Sequence, residues 1–245
     1  MTLDDAISLN RFRMSFQSMV SIKDSDQEYY EAYLRMLDQN DEEISPSLFI
    51  DAFTQREFDT KLDRWVILEC LKQLAEAQKN NPDTHLIINL TANALNDDKL
   101  LPWISVALRT AEVPPQTVVF QFLTEHVECY LLRAIKVFTQ LEQLGCETSI
   151  NRLGENDNSL KLFDKVKPRF TKLAPRFMQA LQQDNNPELL KQMLNDIEAK
   201  GVASIVGFVE SANSMAMLWQ TNASLIQGYY IASPISSLNN DMAEF

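Results

Sequence analysis

Two apolar patterns alternate along most of the chain. Short runs rich in Val, Ile, Leu and Phe fall at residues 86–90, 117–123, 148–150, 170–173, 203–206 and 225–227. Runs of this length with little polar alternation predict strands covered on both faces. Between them lie segments with helical spacing. In 61–78 the stripe is Leu62, Trp65, Val66, Leu68, Leu71, Leu74 and Ala75. In 130–144 it is Leu131, Ala134, Val137, Phe138, Leu141 and Leu144, with Gly145 as the stop. Asn186-Pro187-Glu188 opens a further helix that runs to Lys200-Gly201. Strand and helix in alternation, with helices long enough to be crossovers, predict parallel βαβ units.

The first sixty residues read differently. Segments 13–22 and 29–37 alternate in the manner of strands, and the polar Lys23-Asp24-Ser25-Asp26 between them predicts a turn and an antiparallel hairpin. A hairpin followed by about six βα units, with no Gly/Ser/Pro linker, points to one barrel. An open doubly wound sheet is the competing fold, but no GxGxxG follows any of the strands.

Composition narrows the function. With 22 basic and 34 acidic residues the formal charge is −12, unsuited to sequence-independent binding of nucleic-acid polymers. An anionic ligand would need a local positive cluster. No apolar run reaches the roughly 18 residues that cross a bilayer, and the first ten residues have no signal-peptide pattern, so a cytoplasmic protein without membrane insertion is expected. Cys70, Cys129 and Cys146 form no CxxC pair and read as reduced thiols. His85 and His126 have no partner at ligand spacing and read as structural. Trp103, Trp219 and the methionines read as core or interface filling.

In a (β/α)8 barrel the ligand site lies at the C-terminal ends of the strands. There the chain carries Glu31-Ala32-Tyr33-Leu34-Arg35, Ile88-Asn89-Leu90-Thr91, Phe170-Thr171-Lys172-Leu173, Phe208-Val209-Glu210-Ser211 and Ile226-Gln227-Gly228-Tyr229-Tyr230 with Pro234. Phe16-Gln17-Ser18 precedes them, and Ile44-Ser45-Pro46 lies between the first two. In this order the segments resemble the EAL domain, the cyclic-di-GMP phosphodiesterase family. The resemblance implies a TIM-like (β/α)8 barrel of EAL type with an N-terminal antiparallel hairpin. It frames the barrel as residues 11–238, between an incoming linker helix over 1–10 and a tail over 239–245.

Departures from the family pattern shape the expected function. Active members hold two divalent ions with acidic and amide groups. The resemblance places Gln121 at a metal-binding glutamate, Asn151 and Arg152 at an aspartate pair, Gly207 at a further glutamate and Ala174 at an aspartate. No metal site and no catalytic residues are therefore expected. The pattern is most similar to the degenerate, FimX-like branch of the family, whose members bind cyclic-di-GMP without metal and signal through PilZ-domain proteins to type IV pili and twitching motility, at a cell pole. Members of that branch carry receiver, PAS and GGDEF-type domains ahead of this one.

The resemblance implies a ligand set of Gln17, Glu31, Arg35, Asp63, Phe208, Glu210 and Gln227. Phe208 would stack on a guanine, and Glu210 and Asp63 would accept from a guanine N–H edge. Each has a plainer reading. Arg35 also fits a structural ion pair, Asp63 a helix-terminal acid, and Gln17 and Gln227 barrel-rim amides. Lys172 fits either phosphate neutralisation or pairing with Glu31. Arg35, Lys172 and Arg152 together are expected to form a small positive island. The competing function is a protein-interaction scaffold that no longer binds the nucleotide, favoured by Ser18 and Tyr33.

Overall fold

The computed structural model describes residues 3–23, 27–44, 46, 49, 60–156, 159–184 and 187–238. Among these residues nine strands make one sheet: β1 Phe12–Ser21, β2 Glu28–Leu37, β3 Glu43–Ile44, β4 Thr84–Asn89, β5 Val118–Leu123, β6 Glu147–Leu153, β7 Phe170–Leu173, β8 Ala203–Val206 and β9 Leu225–Ile226. The sheet order is β1-β9-β8-β7-β6-β5-β4-β2-β3, and β1 also pairs with β2. That last pairing closes eight strands into a ring and leaves β3 outside it. β1 is antiparallel to both of its neighbours, and the other ring pairings are parallel. The expected hairpin is therefore part of the barrel wall. Of its connecting turn, residues 24–26 lie outside the described residues, as do Ser45 and Ile50 of the segment after β2.

Nine described helices accompany the strands: α1 Leu3–Ser8, α2 Lys61–Ala77, α3 Leu100–Ala111, α4 Thr124–Cys129, α5 Leu131–Gln143, α6 Phe163–Val166, α7 Arg176–Asp184, α8 Glu188–Ala199 and α9 Ala212–Leu218. Most of the stripes read from the sequence face inward: Leu62, Val66, Leu71 and Leu74 of α2, and Ala134, Val137, Phe138 and Leu141 of α5, are buried, whereas Leu68 of the α2 stripe is exposed. All of these buried residues but Leu62, which packs with Ala6, Phe12, Met36 and Phe49 in a smaller cluster, meet outward-facing strand residues such as Leu86, Ile88, Phe120 and Phe122 in one continuous core. Trp103 is partly buried under the Arg64 guanidinium at 5.0 Å, while Trp219 is 47% exposed and fills no core. No described helix is long and apolar enough to cross a membrane.

The barrel interior is layered by the period-two alternation of strands. Met19, Tyr29, Ile87, Val119, Phe170, Ile205 and Leu225 form a separate buried apolar plug. Two residues toward the C-terminal ends of the parallel strands, the same inward positions are Glu31, Asn89, Gln121, Lys172, Gly207 and Gln227. On the antiparallel β1 the corresponding step runs back to Gln17. A dry floor thus supports a polar layer. Gly228, at the end of β9, lies where a Cβ would come within 2.1 Å of the Val209 carbonyl oxygen, so only glycine lets these two backbones close the rim.

Candidate functional site

The polar layer is a connected network built around Glu31, which is almost fully buried. Its Oε1 accepts hydrogen bonds from Asn89 Nδ2 at 3.0 Å and Gln121 Nε2 at 2.9 Å. Its Oε2 accepts from Lys172 Nζ at 2.6 Å and the Tyr33 hydroxyl at 2.9 Å. Gln121 Nε2 also donates to Asn89 Oδ1, and Ser149 Oγ donates to Gln121 Oε1. Lys172 Nζ reaches Gln227 Oε1 at 2.7 Å, and Gln227 Nε2 donates to the Gln17 carbonyl at 3.4 Å. Gln17 itself donates to the Ala232 carbonyl.

Burial alone would push the Glu31 carboxyl upward. The Lys172 charge and the donors on Asn89, Lys172 and Tyr33 outweigh that and hold it below its ordinary value. Gly207 contributes room: a Cβ there would meet Lys172 Cε at 3.1 Å. Lys172 therefore takes the pairing reading, with Glu31 as its partner.

Above this layer opens a cleft of about 760 Å3, within the size range of small-molecule sites. Glu31, Tyr33, Arg35, Asp63, Asn151, Arg152, Phe208, Glu210, Gln227 and Tyr229 are among its lining. All seven residues of the expected ligand set line this one cavity. Asp63, at the start of α2, is buried, and its two oxygens accept from the Thr91 backbone N–H and hydroxyl, both at 2.8 Å. Burial lifts its carboxyl to about 6 against those bonds. Glu210 lies exposed beyond the end of β8.

Phe208 is an observed backbone outlier. It takes φ +65°, a conformation unusual for a bulky side chain, and is 49% exposed at the cleft wall. Its neighbours fix it there: Val209 N–H donates to the Gln227 carbonyl, and Gln182 Nε2 donates to the Phe208 carbonyl at 3.4 Å.

The expected positive island does not form. Lys172 is spent on Glu31, Arg152 lies 3.6 Å from Glu155, and Arg35 Nε lies 3.5 Å from Glu43 Oε2. Local carboxylates at short chain separation capture the two arginines, although Arg35 and Arg152 still line the cleft. Ser149 and Tyr130 are parts of the site or its walls that the sequence reading passes over; Thr91 has no role in that reading, Tyr33 figures there only as favouring a scaffold, and His126 only as structural, yet all three line the cleft or bond within it. Tyr33 was legible in principle, because it follows Glu31 by two on β2 and so shares its face. His126 and Tyr130 follow the end of β5, where strand alternation no longer says which way a side chain points. His85 lies at the opposite end of the barrel, its ring 4.7 Å from that of Tyr29.

The donor set fits a two-metal centre poorly. Hard divalent ions take several anionic oxygens, and the polar layer supplies the single carboxylate Glu31, already holding an ammonium. Among the described residues no group of three or more His, Cys, Asp or Glu side chains is arranged to hold a metal ion.

Solved structures resemble the chain over nearly its full length. The FimX EAL domain from Pseudomonas aeruginosa bound to c-di-GMP is 36% identical, with a TM-score of 0.90 and 98% of each chain covered. The Xanthomonas citri FimX EAL domain in complex with c-diGMP shares the fold at 22% identity and a TM-score of 0.86, over 98% of this chain and 94% of that one. Among curated proteins, the signaling protein YkoW of Bacillus subtilis is 25% identical over 96% of this chain and 30% of its own length. The cyclic di-GMP phosphodiesterase PdeF of Escherichia coli is 22% identical over 97% of this chain and 32% of its own. The chain thus spans about a third of the length of these curated relatives. A sequence profile of the EAL domain matches residues 1–234, and with the eight-stranded ring and its polar layer this places the chain in the EAL-domain family.

Proposed function

We propose that this domain is a catalytically inactive EAL-type receptor that binds cyclic-di-GMP in the cleft without a divalent metal. In this reading it signals in the cytoplasm through a protein partner of PilZ-domain type, recruited to a cell pole, with type IV pilus assembly and twitching motility as the output. The observation that carries metal independence is Glu31, whose two oxygens are both occupied by donors, one of them the Lys172 ammonium at 2.6 Å. Gln121, Asn151, Arg152 and Gly207 stand where active relatives are expected to carry metal-binding acids, so the layer has neither the anionic oxygens nor the free carboxylate that a metal-activated water requires.

The binding half of the proposal rests on the cleft and on the 36% identity to a domain solved with c-di-GMP. Phe208 offers a flat ring held at the wall by a strained backbone, a cost that stacking on a guanine would offset. Arg35 is set to reach a phosphate by exchanging its exposed partner Glu43, and Glu210 to accept from a guanine N–H edge.

Calorimetry with cyclic-di-GMP in EDTA should give the same affinity as in Mg2+ or Mn2+. Phe208→Ala should weaken binding by about 1–3 kcal/mol, the worth of one base stack. Purified protein with either metal should leave the nucleotide intact. Hydrolysis that disappears in Glu31→Gln would overturn the inactive reading. An absence of binding at high micromolar ligand would instead favour the scaffold reading.

A further inference from the structure

The tyrosine that follows Glu31 by two residues has a geometry that neither the polar layer nor the cleft explains alone. Its hydroxyl lies 2.9 Å from Glu31 Oε2 and 3.1 Å from Gln227 Oε1, with Lys172 Nζ at 3.3 Å. Its ring face lies under the guanidinium of Arg35, 5.4 Å from the ring centre. Burial and the Glu31 charge push the hydroxyl's pKa far upward, so it stays protonated and donates. One end of Tyr33 is thus bolted to the floor while its face carries a cation.

Arg35 has two other contacts, the Leu34 carbonyl at 3.2 Å and the exposed carboxylate of Glu43 at 3.5 Å. Glu43 draws the guanidinium toward solvent, and an exposed ion pair of this kind is weak. The anchored ring opposes that pull by holding the guanidinium over the cleft, since a cation above an aromatic face is attracted by the ring quadrupole.

We propose that Tyr33 is a positioning residue that acts through Arg35. Its ring presents the guanidinium to the phosphate of a bound nucleotide, and its hydroxyl ties that presentation to the Glu31–Lys172 floor. The nucleotide part of this statement rests on the receptor reading above; the Arg35 part does not.

Two measurements on the whole domain separate them. The first is NMR of the ligand-free protein, with the Arg35 Nε–H signal assigned by its loss in Arg35→Ala. Tyr33→Leu should move that signal by removing the ring current, and Tyr33→Phe, which keeps the ring but releases it from Glu31, should move it by less. An unmoved signal in Tyr33→Leu overturns the proposal whether or not any nucleotide binds. The second is a calorimetric double-mutant cycle with cyclic-di-GMP. Tyr33→Leu should weaken binding roughly three- to tenfold in the wild-type background, the range of a cation–aromatic contact, and have little effect once Arg35 is alanine. An equal loss in both backgrounds means that Tyr33 does not act through Arg35 and overturns the proposal. Absence of binding by the wild-type protein would remove the receptor reading and leave the NMR result to decide the orientation of Arg35. Circular dichroism of each variant checks that it is folded; if Tyr33→Leu is not, Tyr33→Phe carries the test, and an Arg35 Nε–H signal and a nucleotide affinity both unchanged in it overturn the proposed anchoring of Arg35 through the Tyr33 hydroxyl.

Discussion

Replacing Lys172 by methionine is expected to lower the unfolding free energy by about 3–5 kcal/mol at pH 7, the usual cost of removing one member of a buried ion pair. Lys172 and Glu31 are both buried and meet at 2.6 Å. Methionine fills much of the lysine volume, so the loss reflects an uncompensated carboxylate more than a cavity. Asn89, Gln121 and Tyr33 still donate to Glu31, which softens the loss without restoring the charge balance. For a domain of this size such a change should lower the melting temperature by roughly 10 °C. Glu31→Gln combined with Lys172→Met should recover much of the stability, because the polar layer then holds no unpaired charge.

The pH dependence has a definite sign. The folded Glu31 carboxyl lies below its ordinary value of 4.5, so its pairing contributes stability that is present above that value and lost as pH falls through the folded pKa. Without Lys172, burial dominates and the folded pKa rises, so the variant gains a proton and relative stability on acidification. The gap between wild type and Lys172→Met should therefore be widest near pH 7 and narrow toward pH 4 in urea melts. A gap below about 1 kcal/mol at pH 7 would show that the pair is not what organises the floor.

The layered interior explains how much of this site was legible in sequence. Strand alternation is strict inside a closed barrel, so Glu31, Asn89, Gln121, Lys172 and Gln227 each follow a residue of the apolar plug by two. Once the short apolar runs are read as parallel strands, the polar residues at their ends must converge, and they do. The partners of the cations were not legible in the same way. Arg152 sits at φ +61°, just where the regular strand geometry breaks, and meets Glu155 three residues on. Arg35 meets Glu43 through the short outer strand β3, which pairs with β2 outside the ring. Neither contact follows from a period-two or period-3.6 pattern, because one is set by a local bend and the other by a short strand pairing outside the ring. The places of His126, read as structural, and of Tyr130, not singled out, were not legible either: their direction is fixed by the short helix α4 and by the turn into α5.

Asp63 should behave in the opposite sense to Glu31. Burial raises its carboxyl from 3.8 to about 6, and the two bonds from Thr91 only partly counter that. A raised acid means that the folded state holds the proton more tightly than the unfolded chain. Between the two values stability must then fall as pH rises, by about 1.4 kcal/mol per unit and roughly 3 kcal/mol in all. Asparagine at this position keeps both contacts, its Oδ1 accepting from the Thr91 N–H and its Nδ2 donating to the Thr91 hydroxyl, while removing the charge. Asp63→Asn should therefore be more stable than wild type by roughly 2–3 kcal/mol at pH 8, with the difference vanishing near pH 4. Denaturant melts across that range measure it directly, and a variant less stable than wild type at pH 8 would show that Asp63 is held ionised without cost. On the expected result the wild-type chain keeps a destabilising carboxylate in its cleft wall. On the proposed reading that carboxylate accepts from a guanine N–H edge, so nucleotide affinity should fall as pH drops through about 6, and Asp63→Asn should bind more weakly although it is the more stable protein. A gain in stability with unchanged affinity would assign Asp63 to tying α2 to Thr91 alone.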